Sequence, residues 1–218
     1  MDLQATWDYV VNFRKQLAID SYLHVSAAIQ CVIIATIIAV LIGIAVYRSP
    51  AGSALATALA STVLTIPSFA LLGFLIPVLG LGVKPTVTAL VLYALLPIIR
   101  NTILGLSSVD PAVTDAARGI GMSRMAVLSK VELRLAWPSI LAGMRVSTQL
   151  VMGILAIAAY AKGPGLGNLI FSGLARLGSP TAVPQALSAT VLIVILALIL
   201  DGIYVLIGRL TTSRGIRV

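Results

Sequence analysis

Few residues of this chain have the types and spacing that chemistry requires. It carries one histidine, His24, and one cysteine, Cys31, with 15 Lys and Arg against 7 Asp and Glu in 218 residues. Cys31 lies in an apolar run with no second cysteine to pair with, and reads as a small core residue. His24 borders the same run and reads as structural, while Met122, Met125 and Met152 read as packing rather than as a ligand set. No pair of carboxylates shares an apolar run, so general acid–base hydrolysis and metal ligation have no obvious seat. The glycine-rich stretches "GPGLGNLI" and "GIGMSRM" lack the Gly-Lys-Ser/Thr that grips a nucleotide's phosphates. Two kinds of informative residue remain. Arg145 and Asp201 are ionisable groups inside apolar runs, and "DPAVTDAARGIGMSRMAVLSKVELRLAWPSILAGMR" (Asp110–Arg145) opens with a polar, glycine-punctuated segment.

The elements that position these residues belong in lipid. With 59% hydrophobic and 10% charged residues and a mean hydropathy of +1.08, the chain has too little polar surface to cover a globule in water. Lys and Arg that fix membrane topology account for the net charge of +8, and no basic run interleaved with aromatics indicates nucleic acid. No cleavable signal is visible at the start, where Asp2, Asp8 and Asp20 accompany Arg14 and Lys15. Trp7, Tyr9 and Phe13 suit a segment at the membrane–water interface.

Apolar runs of spanning length predict an all-α, polytopic membrane protein with about five transmembrane helices. They run from about Val25 to Val46, Leu55 to Leu79, Thr86 to Ile103, Ala136 to Ala161 and Gln185 to Ile207. The expected organisation is an interfacial segment (1–24), a transmembrane domain (25–208) with a loop at 110–134, and a basic tail (209–218). Pro67 falls inside the second run, with Thr65 and Ser68 beside it to satisfy freed carbonyls. Five spans put the termini on opposite sides. With the N-terminus outside and the C-terminus cytoplasmic, ten Lys and Arg fall on or near the inner side against five on the outer.

The 110–134 segment is then cytoplasmic and patterned as two short helices. Asp110-Pro111 is an N-cap followed by proline at the first helical position, Gly121 ends the first helix, and Ser123 caps the second. Val113, Ala116, Ala117 and Ile120 fall on one side of the first; Met125, Leu128 and Val131 repeat that spacing in the second. "DAARGIGMSRMAVLSKVEL" resembles the EAA loop of permease subunits of ABC importers: an acid, two alanines, a glycine, then an aliphatic-x-leucine. The matching positions are Asp115, Ala116, Ala117, Gly121, Val131 and Leu133. Asp115 stands in place of the usual Glu, and Arg134 in place of a usual proline, which lets the second helix run on toward the fourth span. "LAWPSILAGMR" is also common in that family, and "AKGPGLGNLIFSGL" is similar to the outer loop of its methionine and osmoprotectant branches.

The resemblance implies a type I ABC importer permease fold and a cytoplasmic coupling helix pair that docks on a separate ATPase subunit. Asp115 and Arg118 tune that docking electrostatically; Ala116, Ala117, Gly119, Gly121 and Met122 give the fit. ATP and Mg would be bound by the partner ATPase, and this chain would need no cofactor. The other implied partners are a second permease subunit, alike or different, and an extracytoplasmic substrate-binding protein. The implied cargo is an osmoprotectant such as glycine betaine, choline, carnitine or proline betaine, with a permease for methionine or another small solute as the alternative. A channel or membrane anchor is the rival from another class; no repeated pore-lining polar ring supports a channel.

Arg145 and Asp201 sit at similar depth, each roughly 12 Å from the inner boundary at 1.5 Å per residue. Either they pair and lock two helices together, or Arg145 snorkels while Asp201 faces a watery cavity. Arg145, Thr148, Gln149 and Met152 share a face that lines either a substrate route or a helix–helix seam. The Gly/Pro-rich loop Lys162–Pro184 is a surface for the binding protein, a buried connector, or both.

Overall fold

The computed structural model describes residues 3–212; Arg214 and Arg217 of the expected basic tail lie outside them. Every regular element among the described residues is helical: α1 (Leu3–Asn12), α2 (Arg14–Val46), α3 (Pro50–Thr65), α4 (Ser68–Leu79), α5 (Val83–Ser107), α6 (Pro111–Gly119), α7 (Arg124–Val127), α8 (Leu133–Ile157), α9 (Gly167–Leu174) and α10 (Ala182–Thr211). A π turn, Leu128–Glu132, joins α7 to α8, and a 3₁₀ turn, Ala158–Ala161, extends α8. Arg124–Ala161 is thus one rod of 38 residues. Arg134 sits inside it, where a proline would have removed a backbone donor.

Among the described residues four helices are long and apolar enough to cross a membrane, and the bent pair α3–α4 makes a fifth if counted as one span. The second expected span is therefore not straight. It breaks by 94° at Pro67, because proline has no donor and drives Ile66 into extended backbone (ψ 127°). Tyr93 Oη, rather than Ser68, donates to the Ile66 carbonyl at 2.6 Å, and Thr65 Oγ1 donates to Thr62 O at 2.7 Å.

Hydrogen bonds between helix ends fix the topology. At one end of the bundle Ser107 Oγ meets Tyr47 O (3.5 Å), and Trp137 Nε1 donates to Thr211 Oγ1 (2.7 Å). At the other, Gly82 N donates to Ala161 O (2.7 Å). Since α2 and α5 both finish at the first end, α3–α4 must carry the chain back to the second. The bundle is crossed five times, and α1 and Thr211 lie at opposite ends.

The core gathers around α5, which packs on α8, α2 and α3. Small residues let these backbones approach, the usual device where lipid supplies no drive for helices to associate. A Cβ at Gly143 of α8 would lie 2.8 Å from Pro97 O and 2.9 Å from Asn101 Cβ. Ser147 Oγ, buried, donates to Ala94 O at 2.8 Å, beside the carbonyl that Pro97 cannot serve. The expected interfacial segment is α1 together with the first turns of α2. Trp7 is exposed as expected of an interfacial residue, but Tyr9 turns inward onto Leu17, Leu166, Leu169 and Ala189.

Candidate functional site

The polar segment folds into a compact elbow. Asp110 Oδ1 accepts from Ala112 N at 2.8 Å with Pro111 at the first helical position, so α6 begins where the cap and proline dictate. It ends in a Schellman motif: Met122 N donates to Ala117 O (3.1 Å) and Gly121 N to Arg118 O (2.9 Å). Gly121 has φ +87°, the left-handed region that glycine alone enters freely. Ser123 Oγ then accepts from Ala126 N at 3.3 Å and starts α7.

The apolar side shared by Val113, Ala116, Ala117 and Ile120 is mostly exposed. Ala117 is buried, but Val113 and Ala116 are exposed, Ile120 is 82% exposed and Met125 71%. The inward residues are Thr114, Ala117 and Val127. Asp115 is exposed and holds Arg118 one turn on, at 3.5 Å. Gly119 and Gly121 have open space where a Cβ would be, and Met122 is half-buried. An apolar edge thus lies uncovered at the tip of the elbow, flanked by one acid and one base.

What anchors the elbow escaped the reading of the sequence. Glu132, in the π turn and only 5% exposed, accepts from Tyr47 Oη at 2.9 Å and from Arg48 Nη2 at 3.1 Å. Tyr47 and Arg48 follow directly on α2, and the Arg48 guanidinium also lies 5.0 Å from the Tyr47 ring centroid. Burial pushes the Tyr47 phenol above its usual pKa, and its bond to the Glu132 carboxylate adds to the shift. The phenol therefore stays a donor. Glu132 is the chain's one glutamate, a signal that was available, but its partners lie 84 and 85 positions away.

Farther along the rod, Arg145 and Asp201 do meet, as a two-pronged pair: Nε to Oδ1 and Nη2 to Oδ2, both 2.5 Å. Gln149 Nε2 donates to Ala197 O (3.0 Å) and reaches Asp201 Oδ1 (3.4 Å), and Thr148 Oγ1 bonds Tyr204 Oη (2.9 Å). Arg145, Thr148 and Gln149 therefore form a polar seam between α8 and α10. Met152 departs from this face: it is wholly buried, and its carbonyl contacts His24 Nε2 at 3.1 Å. His24 is likewise buried, with Gly165 so close that a Cβ there would fall 2.7 Å from His24 Cβ. The first part of the Lys162–Pro184 loop is buried around Gly163, Gly165 and Gly167, tied by Asn168 Nδ2 to Gly163 O (2.7 Å) and Gly165 O (3.1 Å), whereas residues 174–181 are exposed.

The described residues thus form a helical bundle with a capped elbow between its third and fourth crossings. The chain belongs to the family of binding-protein-dependent transport system inner membrane components, whose model matches residues 5–213. It is a multi-pass membrane protein and a permease subunit. It is 34% identical over 213 residues to the choline transport system permease protein OpuBB of Bacillus subtilis, covering 96% of each chain. It is also 35% identical to the osmoprotectant import permease protein OsmW of Salmonella typhimurium, covering 97% of this chain and 99% of that one. The fold matches a permease chain in an inward-facing structure of the MetNI methionine ABC transporter, with TM-score 0.76 and 21% identity over 98% of this chain and 100% of the other.

Proposed function

We propose that this chain moves an osmoprotectant (glycine betaine, choline, carnitine or proline betaine) across the inner membrane, driven by a separate ATPase subunit that grips the elbow. The cargo class rests on the relatives above, among them choline and osmoprotectant permeases. Methionine is disfavoured, because the likeness to that transporter is one of fold at 21% identity.

One observation carries the coupling role: the elbow offers uncovered Ile120 and Met125 at its tip while Glu132 clamps its base to α2. Asp115 and Arg118 give charge to the rim; Ala116, Gly119 and Gly121 leave room for a close-fitting surface. A force on α6 passes through the hydrogen-bonded turn at Gly121 into the 38-residue rod, which runs from α7 to Ala161. ATP and Mg belong to the partner, whose contacts must differ between two permease states, since equal contacts would shift nothing. A second permease subunit and an extracytoplasmic binding protein complete the assembly. The elbow end carries Arg48, Arg118, Arg124, Lys130, Arg134 and Arg209, which supports a cytoplasmic elbow and C-terminus and an external N-terminus.

The test is uptake of radiolabelled glycine betaine by the reconstituted complex, with choline, carnitine and methionine as competitors. Gly121→Trp and Ile120→Asp should both abolish uptake and ATPase co-purification while the subunit still inserts. Full uptake by either variant overturns the docking assignment; uptake of methionine alone overturns the cargo.

A further inference from the structure

At the end of the bundle opposite the elbow, α1 and the start of α2 face α9 and the start of α10 across a cleft of about 650 Å³. Asp20 and Arg176 both line it, yet no ion pair joins them among the described residues. Beside them Tyr9 and Phe13 are stacked, with ring centroids 4.5 Å apart and planes at 25°. Gln16 and Gln185 add amides; Gln185 is held by its Nε2 bond to Ser172 Oγ at 2.8 Å. The Tyr9 phenol feels both charges: burial raises its pKa, Asp20 adds to the rise, and Arg176 opposes it.

A carboxylate, a guanidinium and an aromatic pair, unneutralised in one small cleft, complement a ligand of opposite polarity at its two ends. A guanidinium takes a carboxylate in a two-pronged grip, whereas ring faces and a carboxylate favour a methylated ammonium, which lacks strong hydrogen-bond donors. We propose that this cleft binds a small zwitterion, its acid end on Arg176 and its methylated ammonium between Asp20 and the exposed Phe13 ring, which the buried Tyr9 ring backs. The site rests on the import reading above for its natural ligand, but not for its chemistry. The same chemistry occurs in a free betaine and in a phosphatidylcholine headgroup.

The test is titration calorimetry on the full-length permease in nanodiscs of phosphatidylglycerol alone and of phosphatidylcholine, with glycine betaine, choline and acetate as probes. Saturable betaine binding is expected in phosphatidylglycerol, with choline weaker and acetate negligible. Arg176→Gln should weaken betaine about tenfold and leave choline unchanged. Asp20→Asn should weaken both, and Phe13→Leu should weaken both about fivefold. Equal betaine binding in the two lipids assigns the cleft to the free solute, and its suppression by phosphatidylcholine assigns it to the headgroup; either keeps it a zwitterion site. Absent betaine binding in phosphatidylglycerol, or binding indifferent to both charge variants, overturns the site. If the complex nevertheless imports betaine, the import reading survives that loss; if it imports no betaine while this cleft binds it, the reverse holds.

Discussion

Replacing Glu132 with Gln isolates the clamp between the elbow and α2. The substitution keeps side-chain volume and one acceptor oxygen but removes the charge that Tyr47 and Arg48 share. Hydrogen bonds to a charged partner contribute roughly 1.5–3 kcal/mol, and Tyr47 donates at 2.9 Å to a carboxylate only 5% exposed. The Arg48 side chain is 48% exposed, so solvent screening holds its share below about 1 kcal/mol. Glu132→Gln should therefore cost about 2 kcal/mol, most of it through Tyr47. In a chain of 218 residues that corresponds to a fall in Tm of about 4–8 °C. Fluorescence melting of the purified subunit suits the measurement, since Trp137 lies on the same rod five residues from Glu132. In a double-mutant cycle, Tyr47→Phe should cost little more once Glu132→Gln is present, because the shared bond is already weakened. A Glu132→Gln protein melting within 1 °C of the parent, or additive losses in the cycle, would refute the clamp.

Three further outcomes follow from the same contacts. Gly143→Ala should destabilise the subunit by about 1–3 kcal/mol, because its Cβ would lie 2.8 Å from Pro97 O in a backbone-lined contact; unchanged melting would show that α5 and α8 part easily. Arg145→Asp and Asp201→Arg should each lower the yield of folded subunit in the membrane, while the double exchange restores it; failure of the exchange to rescue counts against the pair as the lock between α8 and α10. Met125→Asp should leave the melting temperature unchanged yet reduce ATPase co-purification, because Met125 is 71% exposed at the elbow tip; unimpaired co-purification would move the docking surface elsewhere.

The sequence alone determined what depends on neighbours along the chain. The hydrophobic runs announced helices of spanning length. Asp110-Pro111, Gly121 and Ser123 set the ends of α6 and α7, because caps and left-handed turns are satisfied within three or four residues. Arg134 in place of proline correctly predicted a rod running on from α7 into α8. The break at Pro67 was half legible: the proline was plain, but not that Tyr93 would hold the Ile66 carbonyl where the chain turns by 94°. Only the tertiary structure decided which polar residues meet. Depth alone left Arg145 and Asp201 with two futures, and the register of α8 against α10 chose one. Glu132 with Tyr47, and Asp20 across a cleft from Arg176, are separated by scores of residues, and no local pattern encodes such meetings. They arise because small side chains fix how closely, and in which rotation, apolar helices settle together.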